Sequence, residues 1–395
     1  MIIRSKKEVM TMYNILTLNK IAACGTDLLP KSDYAISDSE TNPDAVVVRS
    51  ASMHEMELGS ALLAIARAGA GVNNIPIDKC SEKGIAVFNT PGANANAVKE
   101  LVIAGLLLSS RKIVPATEWI KTLKGQGDEV GKQVEKGKSQ FVGPEISGKK
   151  LGVIGLGAIG ALVANAAVAL GMEVYGADPF LSEAAKKRLS PEVKIAANND
   201  EIYKISDYIS IHAPATPETK GMINADNIAK MKDGVRILNF ARADLVNSAD
   251  ILAALKSGKM AAYATDFATD DLLCEENVIA IPHLGASTPE SEDNCAVMAC
   301  NEVRNYLEKG EILNSVNLPN VSLAKTGDAL ITVISKACDG IADKLAEAAG
   351  VTVADKASGT KKDMAYTILD VKGDADAAKA KLEALDGVIR VRVIK

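Results

Sequence analysis

Three segments of the chain place an arginine, acidic residues and a histidine directly after apolar runs. The segments are ILNFARADLVN at 237–247, YATDFATDDLL at 263–273 and IPHLGASTPE at 281–290. The guanidinium of Arg242 can hold a carboxylate through two parallel hydrogen bonds. The imidazole of His283 can give or take a proton, because histidine side chains titrate near neutral pH. Together they predict proton transfer on a small molecule that carries a carboxylate.

Each of these residue types also has an ordinary structural use. Arginines after strands usually lie at the surface, loop histidines usually bond locally, and acidic pairs such as Asp270-Asp271 often cap helices. Catalysis is favoured because all three segments follow apolar strands of one predicted domain. Ligands of parallel α/β sheets bind beyond the carboxyl ends of the strands, so these side chains should meet there.

A glycine-rich turn earlier in the same domain predicts a dinucleotide site. The stretch GLGAIG at 155–160 follows an apolar strand and opens a helix, the context that the G-x-G-x-x-G fingerprint requires. Gly155 permits the turn, Gly157 lets the backbone approach a pyrophosphate, and Gly160 lets the helix pack on the strand. The next strand ends at Asp178, whose carboxylate would accept the ribose hydroxyls and repel the extra phosphate of NADP. The predicted cofactor is therefore NAD.

Alternating strand and helix patterns predict that two α/β domains position these residues. In the first domain, strands are predicted at 13–18, 45–49 and 85–88. A helix is predicted at 61–68 and a longer apolar one at 98–110, and residues 121–149 are predicted to be an irregular crossing. The second domain should be a doubly wound parallel sheet. Its predicted strands are 151–154, 173–177, 208–211, 236–239, 261–265 and 278–280.

The two ends of the chain differ from these domains. Residues 1–11 are predicted to be a polar extension before the first strand. Residues 329–395, after a linker at 317–328, are predicted to be a small, self-contained module. Their pattern of strand, helix, strand, strand, helix and strand predicts a βαββαβ ferredoxin-like fold. Removing such a module should leave an active site elsewhere in the chain intact.

Composition narrows the classes of function. The net charge of -5 and the pI near 5.5 argue against nucleic acid as a partner, because neutralising phosphates needs a basic face. Residues 151–172 carry no charge, but the five glycines among them favour a strand, a turn and a buried helix over a membrane span. The six cysteines form no C-x-x-C pair and only three histidines could join them, so no metal site is expected. Scattered thiols and an N-terminus unlike a signal peptide predict a cytoplasmic protein.

From residue 13 to residue 316 the chain resembles the D-2-hydroxyacid dehydrogenase family. Besides the glycine turn and the three segments above, the matching pieces are VVVRSAS at 46–52, ARAGAGVNN at 66–74, GIAVFNTPGANANAVKELV at 84–102 and HAPATPETKGMIN at 212–224. The resemblance implies that Arg242 binds the substrate carboxylate, that His283 and an acidic partner transfer the proton, and that Asp266 lies by the nicotinamide carboxamide. Where the family usually has Glu as that partner, this chain offers Asp271, with Asp270 beside it.

The resemblance also implies the fold and further contacts. The implied fold is a doubly wound Rossmann-type NAD domain (111–289) inserted in a flavodoxin-like substrate domain (12–110 and 290–316), with the module at 329–395 after it. A homo-oligomer, dimer or tetramer, is implied as well. Further NAD contacts are expected from Ala70, Ala158, Ile159, Ala213, Phe240 and Ala241. Further substrate contacts are expected from Arg49, Ser50, Gly71 and Asn94.

The substrate and the effector follow from two local comparisons. A guanidinium and a hydroxyl at Arg49 and Ser50, expected across the cleft from the nicotinamide, suit a substrate phosphate. The C-terminal module resembles the ACT domains that bind small amino acids in some members of the family. Its loop SKACDG at 335–340 lacks the His, Asn and Pro of the serine-binding form. We therefore expect serine to inhibit weakly or not at all, and another small-molecule effector stays open.

Three hypotheses about function remain open at this point. The chain is an NAD-dependent dehydrogenase of a phosphorylated 2-hydroxy acid, or a glyoxylate or hydroxypyruvate reductase or another D-2-hydroxyacid dehydrogenase with the same catalytic residues. The third is a non-catalytic NAD-sensing protein, since transcriptional corepressors resemble the same fold. A turnover assay separates enzyme from sensor, and a comparison of phosphorylated with unphosphorylated substrates separates the enzymes.

Overall fold

The computed structural model describes residues 12–395, so the extension predicted at 1–11 lies outside the described part of the chain. The described residues divide into two compact units. The first consists of the chain up to Asn94 together with Pro289–Lys395, and the second is Ala95–Thr288. The second unit is thus inserted in the sequence of the first. The domain boundaries predicted above stay predictions.

The first unit begins with a parallel sheet of strand order β2-β1-β3-β4-β5. Its strands are β1 (Tyr13–Leu18), β2 (Tyr34–Ser37), β3 (Ala45–Val48), β4 (Ala64–Arg67) and β5 (Ala86–Asn89). The helices of this part are α1 (Ala23–Thr26) and α2 (Ile77–Glu82). Every residue of β3 is buried, as expected of a central strand that is covered on both faces. The strand order is the flavodoxin-like one, which confirms the fold class predicted for this part.

One predicted helix of this sheet is a strand. The alanine-rich run at 61–68 predicts a helix, but residues Ala64–Arg67 form β4 between β3 and β5. The side chains of Ala64, Ile65 and Ala66 are fully buried. Burial on both faces of the sheet outweighs helix propensities that differ by less than about 1 kcal/mol per residue.

The second unit is a doubly wound parallel sheet of order β12-β11-β10-β9-β6-β7-β8. Its strands are β6 (Lys150–Ile154), β7 (Glu173–Ala177), β8 (Lys194–Ile195), β9 (Tyr208–Ile211), β10 (Val235–Asn239), β11 (Met260–Thr265) and β12 (Val278–Ala280). Its helices are α3 (Ala95–Arg111), α4 (Ile113–Lys121), α5 (Val130–Gly137), α6 (Ala158–Ala169), α7 (Glu183–Lys186), α8 (Asn199–Ile205), α9 (Ala225–Ala229) and α10 (Ser248–Lys256). The strand order reverses between β6 and β9, and sheets of this kind bind ligands at that switch point. The arrangement confirms the predicted Rossmann-type fold.

The uncharged stretch at 151–172 is divided between β6, the glycine turn and α6. Its apolar side chains cover the sheet, because Val153, Val163 and Ala167 belong to one buried core. Among residues 12–395, no helix combines the length and the apolar character that crossing a bilayer requires.

Residues 121–149 are more regular than predicted. The stretch contains α5 and two 3₁₀ turns, Gly127–Glu129 and Lys138–Phe141. Ion pairs three residues apart, such as Lys132 with Glu129, join successive turns. The apolar residues of α5 are Val130 and Val134, which lie one turn apart and are half-buried on an otherwise polar helix, so the helical pattern in this part of the sequence is short.

The first unit resumes with the long helix α11 (Pro289–Lys309) and continues as an antiparallel sheet of order β14-β15-β13-β16. Its strands are β13 (Ala329–Lys336), β14 (Thr352–Lys361), β15 (Met364–Lys372) and β16 (Val388–Ile394). The helices α12 (Ile341–Ala349) and α13 (Ala375–Glu383) complete the order βαββαβ, which confirms the predicted ferredoxin-like fold class. Leu345 and Leu382 from these helices pack with Ile331, Val333 and Leu369 on one face of the sheet.

The opposite face of this antiparallel sheet is covered as well. Ile334, Tyr366 and Ile368 lie in one hydrophobic core with Phe88 of β5 and Tyr306 of α11. The module at the end of the chain therefore shares a core with the first sheet, whereas its sequence pattern predicts an independent fold.

Polar contacts reinforce the shared core. The hydroxyl of Tyr366 donates to the carbonyl of Gly310 at 2.6 Å. The guanidinium of Arg392 donates to the carbonyls of Tyr306 and Leu307 at 3.2 and 3.0 Å, and it lies 4.6 Å from the ring centroid of Tyr306. Buried polar groups cost free energy unless they are paired, so these bonds specify how the module packs.

Candidate active site

The turn after β6 depends on glycine at two positions. Gly155 has φ +89°, and a Cβ there would lie 2.6 Å from the carbonyl oxygen of His212. A Cβ on Gly160 would lie 1.9 Å from the carbonyl oxygen of Gly155. Gly157 precedes the first residue of α6, and no atom lies within 4 Å of the place where its Cβ would be. The turn thus leaves open space beside the N-terminus of α6, where an anion is stabilised by free N–H groups.

The first turn of α6 and the end of β7 complete this part of the second unit. Ala158 is exposed and Ile159 is half-buried at the start of α6. The carboxylate of Asp178 accepts the N–H of Leu156 at 2.8 Å and that of Phe180 at 2.9 Å. These bonds hold an acidic group beside the glycine turn, as a contact to ribose hydroxyls requires.

A histidine that the sequence analysis did not single out shapes the same turn. His212 follows β9, and its Nε2 lies 2.8 Å from Oγ of Ser210. Burial lowers the pKa of His212 to about 4, so its ring is neutral at pH 7. Its backbone carbonyl is the atom that leaves no room for a side chain at Gly155. The predicted cofactor contact Ala213 is the next residue and is half-buried.

The loop that carries Arg242 is held by a buried asparagine at the end of β10. The carboxamide of Asn239 accepts the N–H of Ala241 at 3.2 Å and donates to the carbonyl of Arg242 at 2.9 Å. Phe240 is buried, and a Cβ on Gly105 would lie 2.7 Å from its ring. The side chain of Arg242 is exposed. The sequence analysis missed Asn239, although an amide at the end of an apolar strand is a usable signal.

Asp266, Arg242 and His283 interact electrostatically at the carboxyl edge of this sheet. Asp266 is 3% exposed. Burial raises the pKa of Asp266, and this rise is opposed by the charge of His283, by backbone N–H groups at Asp266 and Gly285, and by the charge of Arg242. A Cβ on Gly285 would lie 3.6 Å from Oδ2 of Asp266. His283 itself is exposed, and its ring meets that of Phe267 edge-on with centroids 4.9 Å apart.

The acidic pair after β11 occupies a separate position. Asp270–Leu272 form a 3₁₀ turn that the buried Leu272 anchors. The carboxylate of Asp271 accepts the hydroxyl of Thr269 at 2.5 Å. Within residues 12–395, no hydrogen bond or ion pair joins Asp271 or Asp270 to His283. The charge of His283 lowers the pKa of Asp266, which places the two groups in electrostatic interaction. The role of Asp271 as the partner of His283 in proton transfer stays a prediction.

In the first unit, Arg49 follows β3 and already has an anionic partner. Its Nη2 lies 2.6 Å from Oε1 of Glu292, with the two side chains 38% and 41% exposed. Its carbonyl accepts Nε of Arg67 at 3.0 Å. The N–H of Ser50 donates to Oδ1 of Asn19 at 2.9 Å, so the backbone after β3 is held from two sides. A substrate phosphate at Arg49 would have to share the guanidinium with Glu292 or displace that residue.

The remaining predicted residues of the first unit lie on two loops. The carbonyl of Ala70 accepts Nδ2 of Asn89 at 2.6 Å, which joins the loop after β4 to the end of β5. Gly71 and Asn94 are half-buried, Asn94 being the last residue of this part of the unit. Their contacts to a ligand stay predictions.

Comparisons with known proteins agree with this geometry. Residues 103–285 match the D-isomer specific 2-hydroxyacid dehydrogenase family, NAD binding domain. The second unit is therefore an NAD-binding domain, and the open turn at Gly157 with Asp178 beside it fits a dinucleotide. The chain is 34% identical over 326 residues to the D-3-phosphoglycerate dehydrogenase of Bacillus subtilis (strain 168), an alignment that covers 78% of this chain and 59% of the relative. The chain thus spans about six tenths of that relative's length.

Solved structures resemble the same portion of the chain. The NAD+-bound 3-phosphoglycerate dehydrogenase of Entamoeba histolytica is 25% identical with a TM-score of 0.62, over 78% of this chain and 99% of that one. A glyoxylate reductase from Paecilomyes thermophila is 26% identical with a TM-score of 0.64, over 78% of this chain and 99% of that one.

Proposed function

We propose that this chain is a D-2-hydroxyacid dehydrogenase that catalyses NAD-dependent oxidation of 3-phospho-D-glycerate to 3-phosphohydroxypyruvate, the first step of L-serine biosynthesis. The match of residues 103–285 to the NAD binding domain of the D-isomer specific 2-hydroxyacid dehydrogenase family and the likeness to the Bacillus subtilis relative support the proposal. The observation that carries the proposal is that Arg242, Asp266 and His283 follow β10, β11 and β12, which are neighbouring parallel strands, so all three lie at the carboxyl edge of one sheet. A carboxylate anchor and a proton acceptor beside a buried acid are the groups that oxidation of a 2-hydroxy acid requires.

The reaction removes a proton from the C2 hydroxyl and a hydride from C2. Bound NAD would supply the acceptor for the hydride. Arg242 binds the substrate carboxylate through paired hydrogen bonds and so orients C2. His283 accepts the hydroxyl proton, and the negative charge of Asp266 stabilises the imidazolium that forms. The products are a 2-oxo acid, NADH and a proton, so atoms and charge balance.

The second candidate function is reduction of glyoxylate or hydroxypyruvate. The likeness to a glyoxylate reductase favours it, because such an enzyme would use the same catalytic groups and lack only the phosphate contact. A homo-oligomer, a cytoplasmic location and an effector at the C-terminal module remain part of the proposal.

NADH formation with 3-phosphoglycerate, and with glycerate and lactate as matched controls, tests the proposal directly. We expect kcat/KM to be highest for 3-phosphoglycerate, because Arg49 adds a charge-assisted contact to its phosphate. Glycerate and lactate have no phosphate to make this contact. Equal activity with glycerate would favour the reductase. NAD binding without turnover of any of the three would make the protein a sensor.

We expect NAD to be preferred over NADP by at least roughly tenfold in kcat/KM, which corresponds to about 1.4 kcal/mol. The carboxylate of Asp178 would repel the additional phosphate. Asp178→Ser should narrow the preference, whereas Glu183→Gln, an exposed acid on the following helix, should leave it unchanged. Equal use of both cofactors by the parent protein contradicts the role of Asp178.

Arg49→Ala should raise KM for 3-phosphoglycerate by about ten- to a hundred-fold, since a hydrogen bond to an ion contributes roughly 1.5–3 kcal/mol. NAD binding and KM for an unphosphorylated hydroxy acid should not change. Glu292→Gln is the matched control, because it removes the ion-pair partner and keeps the guanidinium. If KM rises equally for the phosphorylated and the unphosphorylated substrate in Arg49→Ala, Arg49 serves the fold and not the phosphate.

Asp266→Asn should lower kcat/KM by about tenfold or more and shift the acidic limb of its pH profile to lower pH. Loss of a carboxylate beside an imidazole disfavours the imidazolium, with effects of 1–3 pH units in comparable pairs. Asp271→Asn should change neither the rate nor the profile by more than about twofold, because Asp271 bonds Thr269. The opposite ranking of the two variants would restore Asp271 as the partner of His283.

A further inference from the structure

A cavity of about 460 Å³ lies in the first unit, beside the long helix α11. One wall is a face of α11, with Asn294, Met298 and Asn301 three or four residues apart along it. The other walls are the loop at Gly92 and Ala93 and the chain after α11. The volume falls in the usual range of small-molecule sites, roughly 300–1,000 Å³. None of the groups assigned above to proton transfer or cofactor binding lines it.

A buried acid in the wall of this cavity has a hydrogen-bond partner for only one of its two carboxyl oxygens. Glu302 is 6% exposed, and its Oε1 accepts Nδ2 of Asn314 at 2.9 Å. Its Oε2 has no hydrogen-bond partner among the described groups. Burial raises the pKa of Glu302 to about 8, against the opposing hydrogen bond from Asn314. An orphaned oxygen on a buried carboxyl costs free energy, and a ligand that donates a hydrogen bond would recover it.

The residues that line the cavity favour a positively charged ligand. Glu311 is a second acid among the lining residues, and none of the described lining residues is Lys or Arg. The nearby cation, Lys309, donates to Oδ1 of Asn305 at 3.2 Å. Met298 and Leu313 add apolar surface. A phosphate or a free carboxylate would find no positively charged partner in these walls. A short alkyl chain with a cationic end can pack its chain on the apolar residues and pair its charge with the acidic ones.

We propose that this cavity binds a small primary alkylammonium ion, whose ammonium group pairs with the carboxyl group of Glu302 after that side chain turns its unpartnered oxygen toward the cavity. The site goes beyond the proposed dehydrogenase activity and does not depend on it. Binding converts Glu302 from the carboxylic acid to the carboxylate and releases one proton at neutral pH. Asn301 and Asn294 supply amide oxygens to the remaining ammonium hydrogens, and Met298 covers the alkyl chain.

Calorimetric titration of the whole chain with butylamine at pH 7 tests this site without any measurement of turnover. Phosphate and Hepes buffers differ in ionisation enthalpy and carry no primary ammonium. The difference between the binding enthalpies measured in the two buffers therefore gives the number of protons released. We expect saturable binding with nearly one proton released per site. 1-Butanol, which has the same chain and no charge, should bind at least about tenfold more weakly.

Two substitutions and one control complete the test. Glu302→Gln keeps the bond from Asn314 and should weaken butylamine at least about tenfold and abolish proton release. Met298→Trp should block the cavity and abolish binding. Glu290→Gln makes the same chemical change on the first turn of α11, away from the cavity, and should bind like the parent. Unchanged affinity in Glu302→Gln, equal binding of 1-butanol, or no binding by a parent that remains folded would each overturn the proposal.

Discussion

Replacing His283 with alanine should lower kcat for 3-phosphoglycerate oxidation by roughly 100-fold or more, the usual scale for a general acid–base residue. The imidazole is exposed, lies edge-on to Phe267 and interacts with the buried Asp266. Alanine removes the group that takes the hydroxyl proton and leaves the glycine turn and Asp178 untouched. NAD affinity, measured by titration, should therefore change by less than about twofold, and the loss should appear in kcat.

A second exposed histidine provides the matched control. His54 lies in the first unit, where its Nε2 is 2.9 Å from the carbonyl of Asn73. His54→Ala makes the same chemical change on a loop to which no catalytic role is assigned, so its kcat should stay within about twofold of the parent. Near-normal turnover of His283→Ala would show that another group carries the proton, and Asp266 would then be tested in that role.

Features that depend on local chemistry could be predicted well from the sequence. The glycine turn at Gly155 and Gly160 is one, because positive φ and close backbone approach exclude side chains there. Six of the seven strands of the second unit are another, because buried parallel strands appear as short, continuous apolar runs. The seventh, β8, has only two residues, both exposed, and was not predicted. Both features need only a few consecutive residues to specify them.

Features that depend on distant partners were predicted poorly. The run at 61–68 has helix-forming residues, and only its place between β3 and β5 makes it a strand. In residues 121–149, helix α5 has only Val130 and Val134 as apolar residues one turn apart, in a stretch rich in Gly and Lys. Tertiary context outweighs propensity in the first case, and the apolar pattern is too short to decide in the second.

The candidate site also has features that could be predicted from the sequence and features that could not. Arg242, Asp266 and His283 follow apolar strands, and their common position at one sheet edge could be predicted from that order. Which carboxylate partners His283 in proton transfer could not, because it depends on loop geometry, and Asp271 stays a prediction for that role. The carboxylate of Asp271 accepts the hydroxyl of Thr269, and the buried Asp266 interacts electrostatically with His283. The unpaired carboxyl oxygen of Glu302 could not be predicted from the sequence either, since the residues around it are far apart in sequence.

Ending the chain after Asn320 should abolish cooperative folding of the first unit, although the sequence pattern alone predicts that the C-terminal module is dispensable. Five apolar side chains of that module, Leu330, Ile334, Met364, Tyr366 and Ile368, are buried in the core they share with the first sheet. Each fully buried apolar side chain contributes about 1.5–3 kcal/mol, so together they contribute on the order of 10 kcal/mol. A whole domain is stable by only about 5–15 kcal/mol.

The truncated chain is therefore expected to be insoluble, or to lose the part of the heat-induced circular dichroism transition that belongs to the first unit, and to form no NADH. Tyr366→Phe provides the graded control, because it removes only the bond to Gly310 and should cost about 1–3 kcal/mol of unfolding free energy while the protein stays folded. A soluble truncated protein with a cooperative transition and most of the parent's turnover would show that the shared core is not needed. The module would then be an appendage, as its sequence pattern alone predicts, and the apolar surface that it leaves behind on α11 would have to be tolerated in water.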